Sequence, residues 1–157
     1  MAIRFLVRCG QSTVHTHFWV MPWDAGIKVL KSDKYLMLVE AAQLDFLIKT
    51  KLMASLLMQR IAFMNGAQMV RFVKSVGMFS RVEVKSRVMF ADDKWAYFEH
   101  SFFVNDIPHA QVWVKMKFKQ GRITVNPVLL LGAFEREKPP FLQRWDDALA
   151  IPMIERP

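Results

Sequence analysis

The clearest pattern along the chain is a period-two alternation of apolar and polar residues in its second half. In Arg81–Phe90 one face carries Val82, Val84, Val88 and Phe90, while charged residues occupy the other. His109–Lys119 alternates in the same way, and only Trp113 interrupts its polar side. Lys94–Val104 is apolar on both faces, which is typical of a central strand. These segments predict a three-stranded antiparallel meander with one apolar face.

A helical period replaces the alternation in Tyr35–Thr50 and predicts a long helix that is apolar around most of its circumference. Its start is marked by Ser32 and Asp33, both good N-cap residues. A helix of this kind is stable when it is enclosed, and the meander offers a surface that needs cover. We therefore predict an α+β fold in which a long central helix is wrapped by a curved antiparallel β-sheet.

The remaining segments give weaker signals. We expect His15–Met21 and Leu56–Met64 to be strands, and Asn65-Gly66 to form a hairpin turn. Residues 1–12 read as a lead-in, and Val128–Phe134 as a short helix or turn. The predicted organisation is one domain over residues 1–134 and a proline-rich tail over 135–157. The tail has one helical piece, Leu142–Ile151, anchored by Trp145, and we expect it to pack loosely or to be partly mobile.

Composition narrows the function only slightly. The 157 residues suit one domain with a real core, and the net charge of +8 is scattered along the chain. A solvated basic surface is the simplest interpretation, and the chain has no recognised nucleic-acid motif. The single cysteine, Cys9, excludes an internal disulfide and a thiolate zinc site, which fits a reducing cytoplasm. No apolar segment is long enough for a membrane span, and the N-terminus does not form a convincing signal peptide.

Several motifs, in order, resemble those of the hotdog-fold acyl-CoA thioesterases, in particular the 4-hydroxybenzoyl-CoA thioesterase-like branch. VMPWD (Val20–Asp24) and YLMLVEAAQLDFL (Tyr35–Leu47) are similar to the opening of that family. ADDKWAYFEHSFF (Ala91–Phe103) resembles its hairpin, and GRITVNP (Gly121–Pro127) its closing motif. The resemblance covers roughly residues 13–134. It implies a hotdog fold and hydrolysis of an acyl thioester in a pocket at a dimer interface.

The loop between these motifs departs from the family pattern. The family usually has a histidine and a pair of asparagines there, but this chain has no such histidine and has Lys31 and Ser32 in place of the asparagines. Asp24 is the one loop acid near the expected position. Its preceding proline matches it to the first family aspartate, whereas an alignment shifted by one residue matches it to the second, usually catalytic one. Both alignments stay open.

Thioester hydrolysis needs a carboxylate and a hydrogen-bond donor for the carbonyl oxygen. Asp24 is the leading base, and the start of the helix at Asp33, Lys34 and Tyr35 is the candidate oxyanion site. The alternative is that Asp24 caps a loop and Asp33 caps the helix. Glu40, an acid within an apolar helix, is a second candidate base, or else it pairs with a lysine or arginine across the sheet or a dimer interface.

The resemblance implies coenzyme A as part of the substrate and no other cofactor. Arg71, Lys74 and Arg81 are candidate partners for its phosphates. We predict a homodimer or a dimer of dimers, because a curved sheet leaves an exposed edge strand and because Trp113 marks a covered part of a lysine-rich face. A non-catalytic hotdog protein that binds acyl groups or acts as an assembly partner is the alternative function.

The histidines offer little sign of a metal site. His15 and His17 would share one face of a strand, but no third ligand is visible in the sequence. His100 and His109 lie in adjacent predicted strands and are possible neighbours. We expect packing or solvent contact at all four positions and no bound metal.

Overall fold

The computed structural model describes residues 12–134 and 136–151, so Cys9 and most of the lead-in lie outside the described residues. The described chain forms six strands and four helices. In chain order these are β1 (Thr13–Trp19), α1 (Ser32–Lys49), α2 (Leu52–Met58), β2 (Ala62–Phe72), β3 (Arg81–Ala91), β4 (Ala96–Val104), β5 (Ile107–Gln120), β6 (Ile123–Val125), α3 (Pro127–Leu131) and α4 (Pro140–Leu149).

All strands belong to one antiparallel sheet with the order β1-β3-β4-β5-β2, and β6 pairs with β5. The predicted meander is confirmed, with β4 at its centre and buried on both faces over most of its length. The turn before β5 uses Asn105 and Asp106, both at positive φ. The valines of β3 and the alternate apolar residues of β5 all face the core.

The core lies between the inner face of this sheet and helix α1. Buried residues of α1 recur at helical spacing and include Val39, Ala42 and Phe46. The Phe46 ring meets the Phe98 ring of β4 edge-on, with ring centres 5.3 Å apart. This arrangement confirms the predicted α+β architecture of a central helix against an antiparallel sheet.

Helix α1 is enclosed on only one side. Its opposite side carries an exposed stripe of Met37, Glu40, Leu44 and Ile48. In the single chain the sheet therefore covers the face of α1 that Val39 and Phe46 share, and the opposite face is open. None of the described helices is long and apolar enough to cross a bilayer.

Two local predictions between α1 and β2 are wrong. The segment predicted as the strand Leu56–Met64 begins as helix α2, entered through Lys51 at a φ of 62°, and the strand starts only at Ala62. Asn65-Gly66 lies inside β2 at a register shift in its pairing with β5. A β-carbon on Gly66 would meet the Trp95 ring at 2.4 Å, so this glycine serves close packing rather than a turn.

The part of the tail that the structure describes, residues 136–151, does not pack loosely. Leu142 of α4 is fully buried, and the Trp113 ring of the outer sheet face lies against Phe141 with ring centres 5.7 Å apart. Asp146 accepts hydrogen bonds from Lys115 (2.7 Å), from the Tyr97 hydroxyl (2.6 Å) and from Lys138. Although burial acts in the opposite direction, these hydrogen bonds hold the pKa of Asp146 below its usual value.

The cover that we expected over Trp113 is thus supplied by the chain itself, and this residue is no argument for a dimer. The exposed edge strand of the sheet remains an argument for a dimer. Strand β2 runs for 11 residues along one side of the sheet, with Met64 exposed on it. Long uncovered edge strands invite pairing with another chain.

Candidate active site

Backbone hydrogen bonds hold the loop between β1 and α1 against the segment that follows β2. The Leu30 N–H donates to the Val76 carbonyl (2.8 Å), and the Phe79 N–H donates to the Val20 carbonyl (2.8 Å). The side chains of Val20, Leu30 and Val76 are buried in the core. The loop is therefore anchored at both ends, and the residues between them have defined positions.

Asp24 closes a tight turn within this loop. Its Oδ2 accepts a hydrogen bond from the Met21 N–H (3.1 Å), and its main-chain carbonyl accepts one from the Lys31 N–H (3.1 Å). Its Oδ1 lies 3.9 Å from Nζ of Lys34, in the first turn of α1. One carboxylate oxygen thus acts as a cap, while the other faces a cation without a direct hydrogen bond.

The Asp24 side chain borders a pocket of about 170 Å³. Apart from Asp24 and Lys34, the lining is apolar and consists of Trp19, Val20, Leu30, Met37 and Leu38. The pocket thus combines a carboxylate, an ammonium group and an apolar wall beside the start of α1. Because both charged side chains are only partly exposed, the interaction between them is stronger than it would be in bulk solvent.

The start of α1 differs from its predicted form. Lys31 occupies the N-cap position, without a side-chain cap, and Ser32 and Asp33 are the first helical residues. The Lys34 N–H already donates to the Lys31 carbonyl (3.1 Å), so the first-turn N–H groups that keep their capacity to donate to a ligand are those of Ser32 and Asp33. Asp33 is exposed. Tyr35 is buried against Phe72 and Phe102, and burial raises the pKa of its hydroxyl.

The three predicted phosphate partners do not come together. Lys74 borders a second pocket of about 280 Å³ that also includes Ser32 and Tyr35 at the start of α1. Arg71 is exposed on β2, opposite Gln111 of β5. Arg81 begins β3 and borders a separate pocket on the outer sheet face. Of these three residues, Lys74 is the one beside the helix start.

Glu40 lies further along α1 and borders a pocket of about 300 Å³ between the helix and β2. It is exposed, and no ion pair joins it to another described residue. Beside it, Gln43 and Asn65 form a reciprocal pair in which each side-chain amide donates to the other (3.1 and 3.2 Å). The intrachain ion pair that we considered for Glu40 is absent among the described residues.

The histidines are held by ordinary side-chain partners. His15 and His17 share a face, as predicted, and flank Glu83, with His15 Nδ1 2.6 Å from its carboxylate. No group of three potential metal ligands is close enough to hold an ion within the described chain. His100 is fully buried against Ser86, and burial lowers its pKa to about 3. His100 pairs with Val112, so His109 does not lie opposite it.

Sequence reasoning identified Asp24 and Glu40 but missed two features around them. The first is the side chain of Lys34, which we considered only as part of the helix start. The second is the Gln43–Asn65 pair. Polar residues at helix positions that otherwise face the core are a usable signal for such a pair, and Gln43, 1% exposed, is one.

The comparisons with known proteins agree with this architecture. A family model described as the thioesterase-like superfamily matches residues 20–126. No curated protein matches the sequence.

Three solved structures illustrate the shared fold. A probable thioesterase from Bartonella henselae has a TM-score of 0.66 and 13% identity, over 73% of this chain and 98% of its own. A DHNA-CoA thioesterase from Staphylococcus aureus has a TM-score of 0.64 and 16% identity, over 88% and 92%. A 4-hydroxybenzoyl-CoA thioesterase variant has a TM-score of 0.63 and 10% identity, over 73% and 90%. These likenesses confirm the hotdog fold.

Proposed function

The chain belongs to the thioesterase-like superfamily, and from this premise we propose that it hydrolyses an acyl thioester, with acyl-CoA as the substrate class. The observation that carries the proposal is the position of Asp24. Its carboxylate borders an apolar pocket next to the start of α1, where a thioester carbonyl could meet both a base and hydrogen-bond donors.

In the proposed reaction Asp24 acts as the general base. Oδ1 takes a proton from a water molecule, whose oxygen attacks the thioester carbonyl carbon. Of the predicted donors Asp33, Lys34 and Tyr35, the N–H of Asp33 is the one the helix leaves free, and together with that of Ser32 it stabilises the oxyanion that forms. When the carbon–sulfur bond breaks, the thiolate leaves and takes up the proton that Asp24 had received from water. The products are a carboxylic acid and a thiol, and the enzyme returns to its starting state.

No cofactor is proposed beyond the coenzyme A of the substrate. Lys74 is the favoured phosphate partner, because it lines a pocket beside the helix start together with Ser32 and Tyr35. Arg71 and Arg81 remain candidates. Either residue would contact a CoA phosphate only if the CoA chain followed another path or bound to another subunit.

A homodimer is part of the proposal. Met37 borders the Asp24 pocket and also begins the exposed apolar stripe of α1. A second copy that covers this stripe and pairs with the β2 edge would place another chain beside the pocket. A dimer of dimers would need a further surface.

Glu40 is the alternative base for the same reaction. It borders a larger pocket and lies beside amide groups that can donate hydrogen bonds. Its exposure in the single chain weighs against it, because an exposed carboxylate is solvated and lacks a fixed position. Cover from a partner subunit would change that.

A binding protein without catalysis is the second candidate function. The hydrogen bond from Met21 to Asp24 favours it, because this bond is what a purely structural turn cap would make. The two functions differ in turnover, not in ligand binding.

The test is steady-state hydrolysis of a panel of acyl-CoAs with short, long and aromatic acyl groups, together with calorimetric binding of the same compounds. The proposed thioesterase releases free CoA from at least one of them with saturation kinetics. Saturable binding without CoA release, by folded protein of known oligomeric state, would favour the binding protein. The absence of both would remove acyl-CoA as the ligand class.

A further inference from the structure

We propose that the side-chain ammonium of Lys34 is a catalytic residue that donates a hydrogen bond to the thioester carbonyl oxygen in the Asp24 pocket. This inference rests on the proposed thioesterase function. It differs from the use of the helix N–H groups, because it assigns the oxyanion to a side chain rather than to the backbone alone.

The distance between the two charged groups supports this role. Lys34 Nζ lies 3.9 Å from Asp24 Oδ1, beyond the range of a hydrogen bond. The ammonium therefore donates no hydrogen bond to this carboxylate, whose other oxygen accepts one from the Met21 N–H. A separation of this size leaves room for two different oxygens, the water oxygen beside Asp24 and the carbonyl oxygen beside Lys34. In a productive complex the water oxygen must lie within about 3.5 Å of the carbonyl carbon.

The surroundings strengthen the interaction. Among the residues that line the pocket, Lys34 is the cation, and the rest apart from Asp24 are apolar. Only about a quarter of each charged side chain is exposed, 24% for Lys34 and 25% for Asp24. In such an environment a fixed positive charge stabilises a developing oxyanion more than it would in water.

The composition of the loop leaves few alternatives. Between Asp24 and Tyr35 the side chains that can donate a hydrogen bond from nitrogen are Lys28, Lys31 and Lys34. Lys28 and Lys31 are exposed and do not line the pocket, whereas Lys34 lies in the first turn of α1 and lines it. The backbone bridge between Ala25 and Leu30 brings Asp24 and Lys34 together across the loop.

The proposed hydrolysis leaves Lys34 chemically unchanged. Water loses a proton to Asp24 as its oxygen bonds to the carbonyl carbon, and the carbonyl π electrons move to oxygen, where the Lys34 ammonium donates a hydrogen bond. Collapse of this oxyanion expels the thiolate, which takes up the water-derived proton from Asp24. Lys34 stays protonated throughout and acts by position and charge.

The test compares Lys34→Met, Lys34→Arg and the matched control Lys28→Met by steady-state kinetics on the best acyl-CoA found for the wild-type protein. Lys28→Met removes one positive charge from the same loop at an exposed position outside the pocket. We expect Lys34→Met to lower kcat about 100-fold with KM changed less than about threefold, which is the size seen when one oxyanion donor is removed. Lys34→Arg should recover part of kcat, and Lys28→Met should resemble the wild type.

Thermal unfolding of each variant separates catalysis from folding, since a lowered kcat at unchanged melting temperature is not a stability effect. A rise in KM alone for Lys34→Met would overturn the inference, because it would mean that Lys34 only attracts the anionic substrate. An unchanged kcat would overturn it too, while the thioesterase function would stand on wild-type turnover. A wild-type protein that hydrolyses no thioester would instead refute the proposed function, and this inference with it.

Discussion

The two pockets along helix α1 contain the two candidate bases in different surroundings. Asp24 is held by a backbone N–H, lies near a cation and faces a small apolar pocket. Glu40 borders a larger pocket, but it is exposed and has no ion pair among the described residues. A base is effective when its position is fixed before the substrate arrives. The single chain provides this for Asp24, whereas Glu40 depends on whatever covers the stripe around it.

The largest expected effect separates these two carboxylates. Asp24→Asn can still accept the Met21 N–H but cannot take a proton, so we expect kcat to fall about 1,000-fold without a change in melting temperature. Glu40→Gln should change kcat less than about threefold. The measurement is steady-state acyl-CoA hydrolysis, with thermal unfolding by circular dichroism. The opposite order of the two effects would move the base to the helix.

Asp24→Ala adds a control for the capping role. It removes both the base and the acceptor for Met21, so it should lose activity like Asp24→Asn and also melt at a lower temperature. If Asp24→Ala is inactive but Asp24→Asn is fully active, the side chain of Asp24 serves only as a turn cap. That result would support the binding-protein function.

The second effect concerns the cover over the Glu40 pocket. We expect the wild-type protein to be a dimer, and Leu44→Asp to dissociate it, because this substitution places a charge in the middle of the exposed stripe on α1. Ile123→Lys is the matched control, since Ile123 is exposed on β6 rather than beside α1 or β2. Light scattering after size exclusion measures both. A wild-type monomer at micromolar concentration would contradict the proposed dimer.

A third effect tests how the Glu40 pocket is built. Gln43→Leu removes one half of the reciprocal amide pair and leaves the Asn65 amide without its partner. We expect a loss of about 1 kcal/mol in the free energy of unfolding, the low end of the cost of leaving a buried polar group unpaired, because Asn65 is only half-buried. Urea unfolding measures it. Gln43→Leu combined with Asn65→Leu should lose less than the sum of the two single changes, because no unpaired amide is left.

The helices and strands around these pockets show what the sequence can and cannot predict. The meander and α1 were predicted because burial of one face repeats at a fixed period, as in the valines of β3. Helix α2 was missed because Leu56 and its neighbours suit a strand equally well, and the chain direction is set by Lys51 at positive φ. The Asn65-Gly66 turn failed for a different reason, since packing of Trp95 on Gly66 overrides the local turn preference.

Only part of the candidate site could be predicted from the sequence. Asp24 could be identified by its chemistry and by the motif around it. The side-chain position of Lys34 could not, because its distance from Asp24 depends on the bridge between Ala25 and Leu30 and on the hydrogen bonds to residues 76–80. Such contacts between distant segments leave no periodic trace in the sequence.

The smallest effect concerns a third carboxylate, Asp45 on α1. Asp45 sharpens the comparison of Asp24 and Glu40 because its role is structural. Asp45 accepts hydrogen bonds from Lys49 (2.6 Å between Nζ and Oδ2) and from the Thr16 hydroxyl of β1. Burial raises its pKa, but these hydrogen bonds outweigh burial and hold the pKa below its usual value. Its contribution to stability is therefore present above about pH 5 and is lost as the pH falls through the lowered pKa.

We expect Asp45→Asn to lose about 1 kcal/mol of stability at pH 7, which corresponds to a melting temperature about 2–4 °C lower for a chain of this size. The difference from the wild type should shrink as the pH falls from about 5 towards 2, since the wild-type carboxylate then becomes protonated. Asp93→Asn, an exposed turn position, is the control with no expected difference. Activity at pH 7 should be unchanged. A structural carboxylate on α1 would then affect stability alone, whereas Asp24→Asn affects turnover alone, and a loss of turnover in Asp45→Asn would show that the helix position itself controls the pocket.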